Sequence, residues 1–92
     1  MIESHIELLG MKVKDKVTGL TGIVTTLSFD LYGCVQIVIT PQVTKDNKIE
    51  PGEWVDVNRL KSVDGKRVMP LPDFEVGIVA EGKKGAAEKP LK

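Results

Sequence analysis

Few side chains in this sequence have the chemistry of a reaction centre. The chain contains one cysteine, Cys34, and one histidine, His5, which are far apart along the sequence. A nucleophilic thiol needs a neighbouring base, and acid–base catalysis needs a histidine or a pair of carboxylates held in a cleft. We interpret His5 as a surface residue and Cys34 as a thiol in or beside the core, because free cysteines are usually buried. The sequence therefore predicts no catalytic residues and no enzymatic activity.

Metal and nucleic-acid binding have little support in the composition. Metal binding needs three or four ligands, and one Cys and one His at positions 34 and 5 make no ligand spacing, so we expect no metal and no cofactor. The 13 Lys and Arg residues are balanced by 13 Asp and Glu residues, whereas nucleic-acid binders usually carry a one-sided basic charge. Lys12, Lys14 and Lys16 nonetheless form one basic edge, which keeps nucleic acid open as an alternative partner.

Three aromatic residues and two glycines are the candidates for ligand binding. Trp54, the only tryptophan, suits either a stacking platform or a core anchor, and the sequence leaves both open. Tyr32 and Phe29 lie in or beside the turn before the third predicted strand and, if exposed, would form one patch with Trp54. Gly19 and Gly22 offer backbone N–H groups to an anion, although they match no phosphate-loop spacing and turn geometry explains them more simply. We hypothesise that these five residues bind a ligand.

Short strands are expected to position these residues. In MKVKDKV, lysines alternate with apolar residues, and Asp15 is the exception on the apolar side, where we expect it at a rim or capping a turn. A connection with Gly19 and Gly22 at positive φ leads to the second strand. The third strand is apolar on both faces, so we expect it to be central or covered on both faces. The predicted strands are MKVKDKV, IVTTLSF, CVQIVIT, EWVDV and LKSV, with a polar loop at 41–53 whose tip is KDNK and a 3₁₀ turn at NRL.

These strands predict an all-β fold, a small antiparallel barrel of five strands over residues 11–63. Residues 1–10 are expected to form a short arm or helix. Residues 64–92 are expected to form an extended segment with a flexible tail, in which EVGIV is a candidate further strand. The predicted core consists of Val13, Val17, Ile23, Val35, Ile37, Ile39, Val55 and Leu60.

The stretch VKDKVTGLTGIV resembles the opening of SH3-like barrels, including the KOW type. Residues 9–63 also resemble a group of small proteins encoded by phages, prophages and other mobile genetic elements. The resemblance implies an SH3-like barrel and a mobile-element context, and it implies no particular activity. The residues that carry it are VKDKVTG, TGIVT, GCVQ, Pro41, Trp54, Asp56, Arg59 and Leu60, with MPLPDF in the tail.

A small core, an apolar third strand and exposed barrel edges favour self-association, for which a symmetric dimer is the usual result. We therefore expect a non-enzymatic binding module that acts as a homo-oligomer. It would bind a host or phage protein, or a small ligand, through loops 18–22, 29–33 and 41–53. The alternatives are a KOW-like nucleic-acid-binding protein and a phage protein that sequesters a host nucleotide.

The expected location is the cytoplasm of a bacterial host. A single cysteine forms no disulfide within the chain, which fits a reducing compartment. The N-terminal stretch MIESHIELLG is acidic and does not resemble a signal peptide. No apolar run is long enough to span a bilayer, so a membrane is not an expected partner.

Overall fold

The computed structural model describes residues 2–74, which form one short helix and a single sheet of five antiparallel strands. The strand order is β4-β3-β2-β1-β5. The predicted all-β class and the five antiparallel strands are confirmed, but the sheet is not closed into a barrel, since the pairings of residues 2–74 leave β4 and β5 as its edges. The elements are α1 (Ile2–Ile6), β1 (Met11–Asp15), β2 (Thr21–Phe29), β3 (Val35–Thr40), β4 (Glu53–Asp56), a 3₁₀ helix (Val57–Arg59) and β5 (Leu60–Arg67).

The core lies on one face of this sheet, which we call the core face. A flat single sheet would leave both faces in water, so complete burial of side chains requires the sheet to curl over its own core face. Val24, absent from the predicted core, is buried there. Ile23, Val35 and Leu60 are only partly buried. The buried core residues are Val13, Val24, Ile37, Ile39 and Val55, and Leu8, Leu9, Met11, Leu20, Leu27 and Leu60 pack against them.

The prediction of Val17 as a core residue is wrong, because its side chain is 70% exposed. Strand β1 ends at Asp15, and the chain turns immediately afterwards. The strand alternation that would place Val17 on the same face as Val13 therefore ends before Val17, and its side chain does not reach the core.

An irregularity in β2 explains why Val24 is buried in place of Ile23. Val24 pairs with Ile39 and Leu27 pairs with Ile37, and the register shifts between these two pairs. One extra residue in β2 lets Val24 and Leu27 share the core face although they are three positions apart, as a β-bulge does. Ile23 pairs with Thr40 and lies on the opposite face, which we call the outer face.

Asp15 caps the turn after β1, as expected, but it is buried and not at a rim. Its carboxylate accepts hydrogen bonds from the Val17 N–H at 3.0 Å and from the Thr18 hydroxyl at 2.6 Å. Arg59 donates to both carboxylate oxygens, with Nε 2.9 Å from Oδ1. The carboxylate is 1% exposed, so this ion pair joins the β1–β2 turn to the 3₁₀ helix inside the fold. The Arg59 guanidinium holds the pKa of Asp15 far below its ordinary range, assisted by these hydrogen bonds and opposed by burial.

The two glycines of the β1–β2 connection have different roles. Gly19 has φ of +83°, which confirms its predicted turn conformation. The prediction of positive φ at Gly22 is wrong, because Gly22 lies within β2 opposite Val13. A Cβ at Gly22 would lie 2.4 Å from the Thr40 carbonyl oxygen, so this position needs glycine for the close approach of β3.

The N-terminal arm is attached to the end of β5. Arg67 donates to the carbonyl oxygens of Glu7 and Leu9, and the Val68 N–H donates to the Gly10 carbonyl oxygen at 2.9 Å. Strand β5 therefore extends to Arg67, beyond residue 63, where the sequence places the end of the barrel. The predicted strand at EVGIV and the predicted flexible tail lie outside the described residues. Within residues 2–74, no helix has the length and hydropathy needed to cross a membrane.

Replacing Ile37 by Ala should lower the free energy of unfolding by about 2–5 kcal/mol, because it removes a fully buried side chain from the centre of the core. Urea unfolding followed by circular dichroism measures the effect. The matched control is Val38→Ala on the outer face of the same strand, which should cost much less. Equal losses for the two variants would contradict the assignment of the core face.

Replacing Asp15 by Asn should destabilise the fold, because Arg59 then loses its charged partner. The folded pKa of Asp15 is lowered, so its contribution is complete above the pKa of an unfolded Asp, about 3.9. The contribution is lost as the pH falls through the folded pKa. The stability difference between wild type and Asp15→Asn should therefore be constant from neutral pH to about pH 5 and shrink below about pH 4. Urea titrations across this pH range test the expectation, and a pH-independent difference would contradict it.

Candidate functional site

The loop between β2 and β3 is a tightly hydrogen-bonded turn built on one carboxylate. Asp30 Oδ1 accepts hydrogen bonds from the backbone N–H groups of Tyr32 and Cys34, both at 2.9 Å. The Asp30 N–H donates to the Cys34 carbonyl oxygen at 3.2 Å, and the Gly33 N–H donates to the Asp30 carbonyl oxygen at 3.1 Å. Gly33 has φ of +89°, a conformation that glycine adopts without strain. Four hydrogen bonds thus organise the loop around Asp30.

This turn presents two large side chains to solvent. Leu31 is 91% exposed and Tyr32 is 87% exposed. Exposed aromatic and apolar side chains on a preorganised loop suit recognition, because little conformational entropy remains to be lost on binding. Tyr32 was predicted as a binding residue, whereas Leu31 was missed. The sequence DLYG could have indicated that Leu31 is exposed, because a side chain in a surface turn does not reach the core.

Phe29 lies at the start of the same loop and contacts the N-terminal helix. Its ring is 48% exposed and lies edge-on to the His5 ring, with 6.1 Å between ring centroids and an angle of 67° between planes. His5 is therefore not a free surface residue, as the sequence suggested, but is half-buried against Phe29. Its Nδ1 atom is buried and has no hydrogen-bond partner within residues 2–74.

Trp54 lies on a different side of the sheet from Phe29. Phe29 pairs with Val35, and strand alternation places that pair on the core face. Trp54 pairs with Val38 on the outer face of edge strand β4. The two aromatic rings are thus directed to opposite faces, and the sheet does not bring Phe29 and Trp54 into one patch. Trp54 is 53% exposed, so it does not anchor the core, and its role as a stacking platform stays a prediction.

The two predicted glycines lie at the β1–β2 connection, away from the 30–34 loop in sequence. Gly19 lies in the turn, where its N–H donates to the Asp15 carbonyl oxygen at 2.8 Å. Because the Gly19 N–H already donates this hydrogen bond within the fold, it is not directed at a ligand. Gly22 lies inside the sheet between β1 and β3, and anion binding by either glycine stays a prediction.

Cys34 is exposed, which corrects its predicted place in or beside the core. The charge of Asp30 raises the pKa of the thiol, and partial desolvation, the hydrogen bond with Asp30 and the charge of Asp56 act in the same direction. A nucleophilic cysteine needs the opposite environment, one that stabilises the thiolate. Within residues 2–74, no three His, Cys, Asp or Glu side chains are grouped to hold a metal ion.

Replacing Asp30 by Asn should lower the pKa of Cys34 and speed its alkylation at neutral pH. The variant removes the negative charge but keeps an oxygen that accepts the loop N–H bonds. Iodoacetamide labelling rates across a pH series measure the change. Asp46→Asn, in the 41–52 loop, is the charge-matched control and should leave the rate unchanged. A labelling profile for Asp30→Asn identical to that of wild type would contradict this electrostatic description.

Comparison with other proteins does not assign the chain to a family. No protein-family model, no curated protein and no solved structure shows a significant match to it. The resemblance to small SH3-like proteins of phages and other mobile elements stays an expectation from the sequence. The functional conclusion therefore depends on the geometry of the 30–34 loop and its surroundings.

Proposed function

We propose that this chain is a non-enzymatic binding module whose binding surface is centred on the 30–34 loop. The observation that carries the proposal is the nearly complete exposure of Leu31 and Tyr32 on a turn that Asp30 holds rigid. Exposing two large side chains next to each other has no benefit for the fold of a single chain. Tyrosine in particular is enriched among the residues that dominate binding interfaces.

The preferred partner is a protein with an apolar pocket and a basic rim. Leu31 and the Tyr32 ring need an apolar pocket, and the Tyr32 hydroxyl needs a polar group at its edge. Asp30 and Asp56 both raise the pKa of Cys34, so two negative charges lie near the loop. Basic groups on the partner would complement these charges and orient its approach.

We further propose that the module acts as a homo-oligomer, most simply a symmetric dimer. Strand β4 is an open edge of the sheet and carries the half-exposed Trp54. The neighbouring loop adds Val43 and Ile49, which are 57% and 82% exposed. An open edge flanked by apolar side chains favours pairing with the same edge of a second copy.

The finer fold we propose is an SH3-like barrel. Two features support it: the order β4-β3-β2-β1-β5, and the 3₁₀ helix immediately before the last strand. The phage or mobile-element origin and the bacterial cytoplasm belong to the same proposal, on the strength of the sequence resemblance. The absence of enzymatic activity is proposed because Asp30 disfavours the Cys34 thiolate.

A nucleic-acid partner is the second candidate, and one observation favours it. Lys14 pairs directly with Lys61 across β1 and β5, and Lys12 lies on the same face of β1 as Lys14. Like charges directly opposite each other destabilise a sheet, which is relieved when an anion binds between them. This basic surface lies on the outer face of the sheet, separate from Leu31 and Tyr32.

Photo-crosslinking in cells that make the full chain tests the proposed function. A benzophenone amino acid replaces Tyr32, and in a matched control it replaces Val43 in the 41–52 loop. We expect discrete adducts from position 32 that Leu31→Ser abolishes, while the position-43 pattern is unchanged by Leu31→Ser. The adduct mass identifies a second copy or a different protein.

Three outcomes would contradict the proposal. Adducts that disappear on nuclease treatment would instead support the nucleic-acid candidate. The absence of any discrete adduct from position 32, or adducts that persist in the Leu31→Ser variant, would remove the 30–34 loop as a binding surface.

A further inference from the structure

The outer face of the sheet carries a basic surface that the balanced charge of the whole chain conceals. Lys14 and Lys61 are exposed and pair directly with each other across β1 and β5. Lys12 lies on the same face of β1 and pairs with Ile23 of the outer face. We call Lys12, Lys14 and Lys61 the lysine cluster. Like charges opposite each other in a sheet repel, so an anionic ligand between them stabilises the pair.

The acidic side chains of the paired strands do not neutralise the lysine cluster. Asp15 is buried in its ion pair, and Glu53 precedes Trp54 in β4 and so points to the other face. Asp56 lies three strands away from β1, and its carboxylate caps the 3₁₀ helix. Asp64 follows the regular part of β5 and accepts a hydrogen bond from a backbone N–H two residues on. In the regularly paired part of β1 and β5, every charged side chain on the outer face is therefore a lysine.

Trp54 presents an aromatic ring on the same face. It pairs with Val38, which lies on the outer face because Ile37 and Ile39 are buried in the core. The Trp54 side chain is 53% exposed, so its ring is accessible to a ligand. A nucleobase stacks on such a ring whatever its identity, because every base has a π-face.

Two hydroxyl groups lie between Trp54 and the lysine cluster. Thr40 belongs to β3 and pairs with Ile23 of β2 on the outer face. Its Oγ1 atom lies 2.7 Å from Oγ1 of the exposed Thr25. In such a pair one hydroxyl donates to the other, whose own proton remains available to a ligand. This proton suits a phosphate or sugar oxygen.

The strand order sets the separation between the ring and the charges. Trp54 is in β4, and Lys12 and Lys14 are in β1, three strand spacings away. At about 4.8 Å per spacing, this distance is roughly 14 Å across the sheet. A ligand that reaches both must carry a planar ring and several negative charges along an extended chain. Nucleic acid has both groups in every repeat.

The shape of the face favours a single strand over a duplex. Five strands span about 19 Å across the sheet, which is wider than the major groove of B-DNA at about 12 Å. The outer face therefore does not enter the groove. Bases inside a duplex also stack on one another, whereas a single strand offers unstacked bases to Trp54.

We propose that the outer face binds single-stranded nucleic acid, with phosphates at the lysine cluster and a base stacked on Trp54. The proposal rests on the nucleic-acid candidate and adds the strandedness of the ligand and the role of Trp54. It does not involve Leu31 or Tyr32. A dimer formed through the β4 edges leaves this face open, because edge pairing uses backbone groups.

Titration of the full chain with oligo(dT) and oligo(U) tests the proposal. The oligonucleotides are longer than the roughly 4–16 nucleotides that such sites cover. Trp54 is the only tryptophan, so quenching of its fluorescence reports stacking directly. Anisotropy of labelled oligonucleotides measures affinity in parallel. We expect quenching by both single strands and none by a blunt duplex. Three phosphate contacts predict a slope of about −2 for the logarithm of the affinity against the logarithm of the salt concentration.

Variants assign this binding to the lysine cluster and the ring. Lys14→Gln, Lys61→Gln should reduce the salt slope to about −0.7, because one phosphate contact remains. The charge-matched control is Lys45→Gln, Lys48→Gln in the 41–52 loop, which should bind as wild type does. Trp54→Leu should weaken binding roughly tenfold, and Trp54→Phe should recover part of the loss. Circular dichroism confirms that each variant is folded.

Several results would overturn the proposal. These are undetectable binding at low salt, equal affinity for duplex and single strand, equal losses in the two double-lysine variants, and binding without quenching of Trp54. Binding to phosphatidylserine vesicles in place of the oligonucleotides would reassign the face to a membrane surface. The variant Leu31→Ser should bind the oligonucleotides as wild type does. Failure of this proposal is therefore distinguishable from failure of the 30–34 loop as a binding surface.

Discussion

The need to bury a core with one small sheet governs the rest of this structure. Ile37 and Ile39 are completely buried although, besides the strands, the elements named in the described residues are only a five-residue α-helix and a three-residue 3₁₀ helix. The sheet must therefore curl so that β1, β2, β3 and β4 all contribute to one cluster. The extra residue in β2 is the local device for this curvature, because a bulge bends a strand and resets its alternation. Gly22 allows the backbones to approach closely at the same region.

The buried ion pair between Asp15 and Arg59 fastens this curled sheet at one end. Two charges removed from water are costly unless each is fully hydrogen-bonded, and Asp15 has four such bonds, from Val17, Thr18 and Arg59. The pair joins residues that are distant in sequence and links the first turn to the 3₁₀ helix before β5. A purely apolar contact at this position would not orient the turn in the same way, because hydrogen bonds are directional.

The proposed binding surface consists of side chains that do not pack in the core. The core uses the central residues of the strands, which leaves the β2–β3 turn free to display Leu31 and Tyr32. The same carboxylate that shapes this turn, Asp30, also disfavours the Cys34 thiolate. The hydrogen-bonded turn and the raised pKa of the Cys34 thiol are therefore two consequences of one residue.

The sequence by itself determined the five strands in outline, the interior position of the third strand, the turn at Gly19 and the capping role of Asp15. Alternation of apolar residues and turn-forming residues acts locally, so these features follow from short stretches of chain. Only the tertiary structure decided that Val24 is buried in place of Ile23, that Gly22 serves close packing, and that Phe29 and Trp54 face opposite ways. It also decided that Asp15 meets Arg59 and that Cys34 is exposed. Each of these depends on register and curvature between strands, which arise from contacts between residues distant in sequence and leave no local pattern.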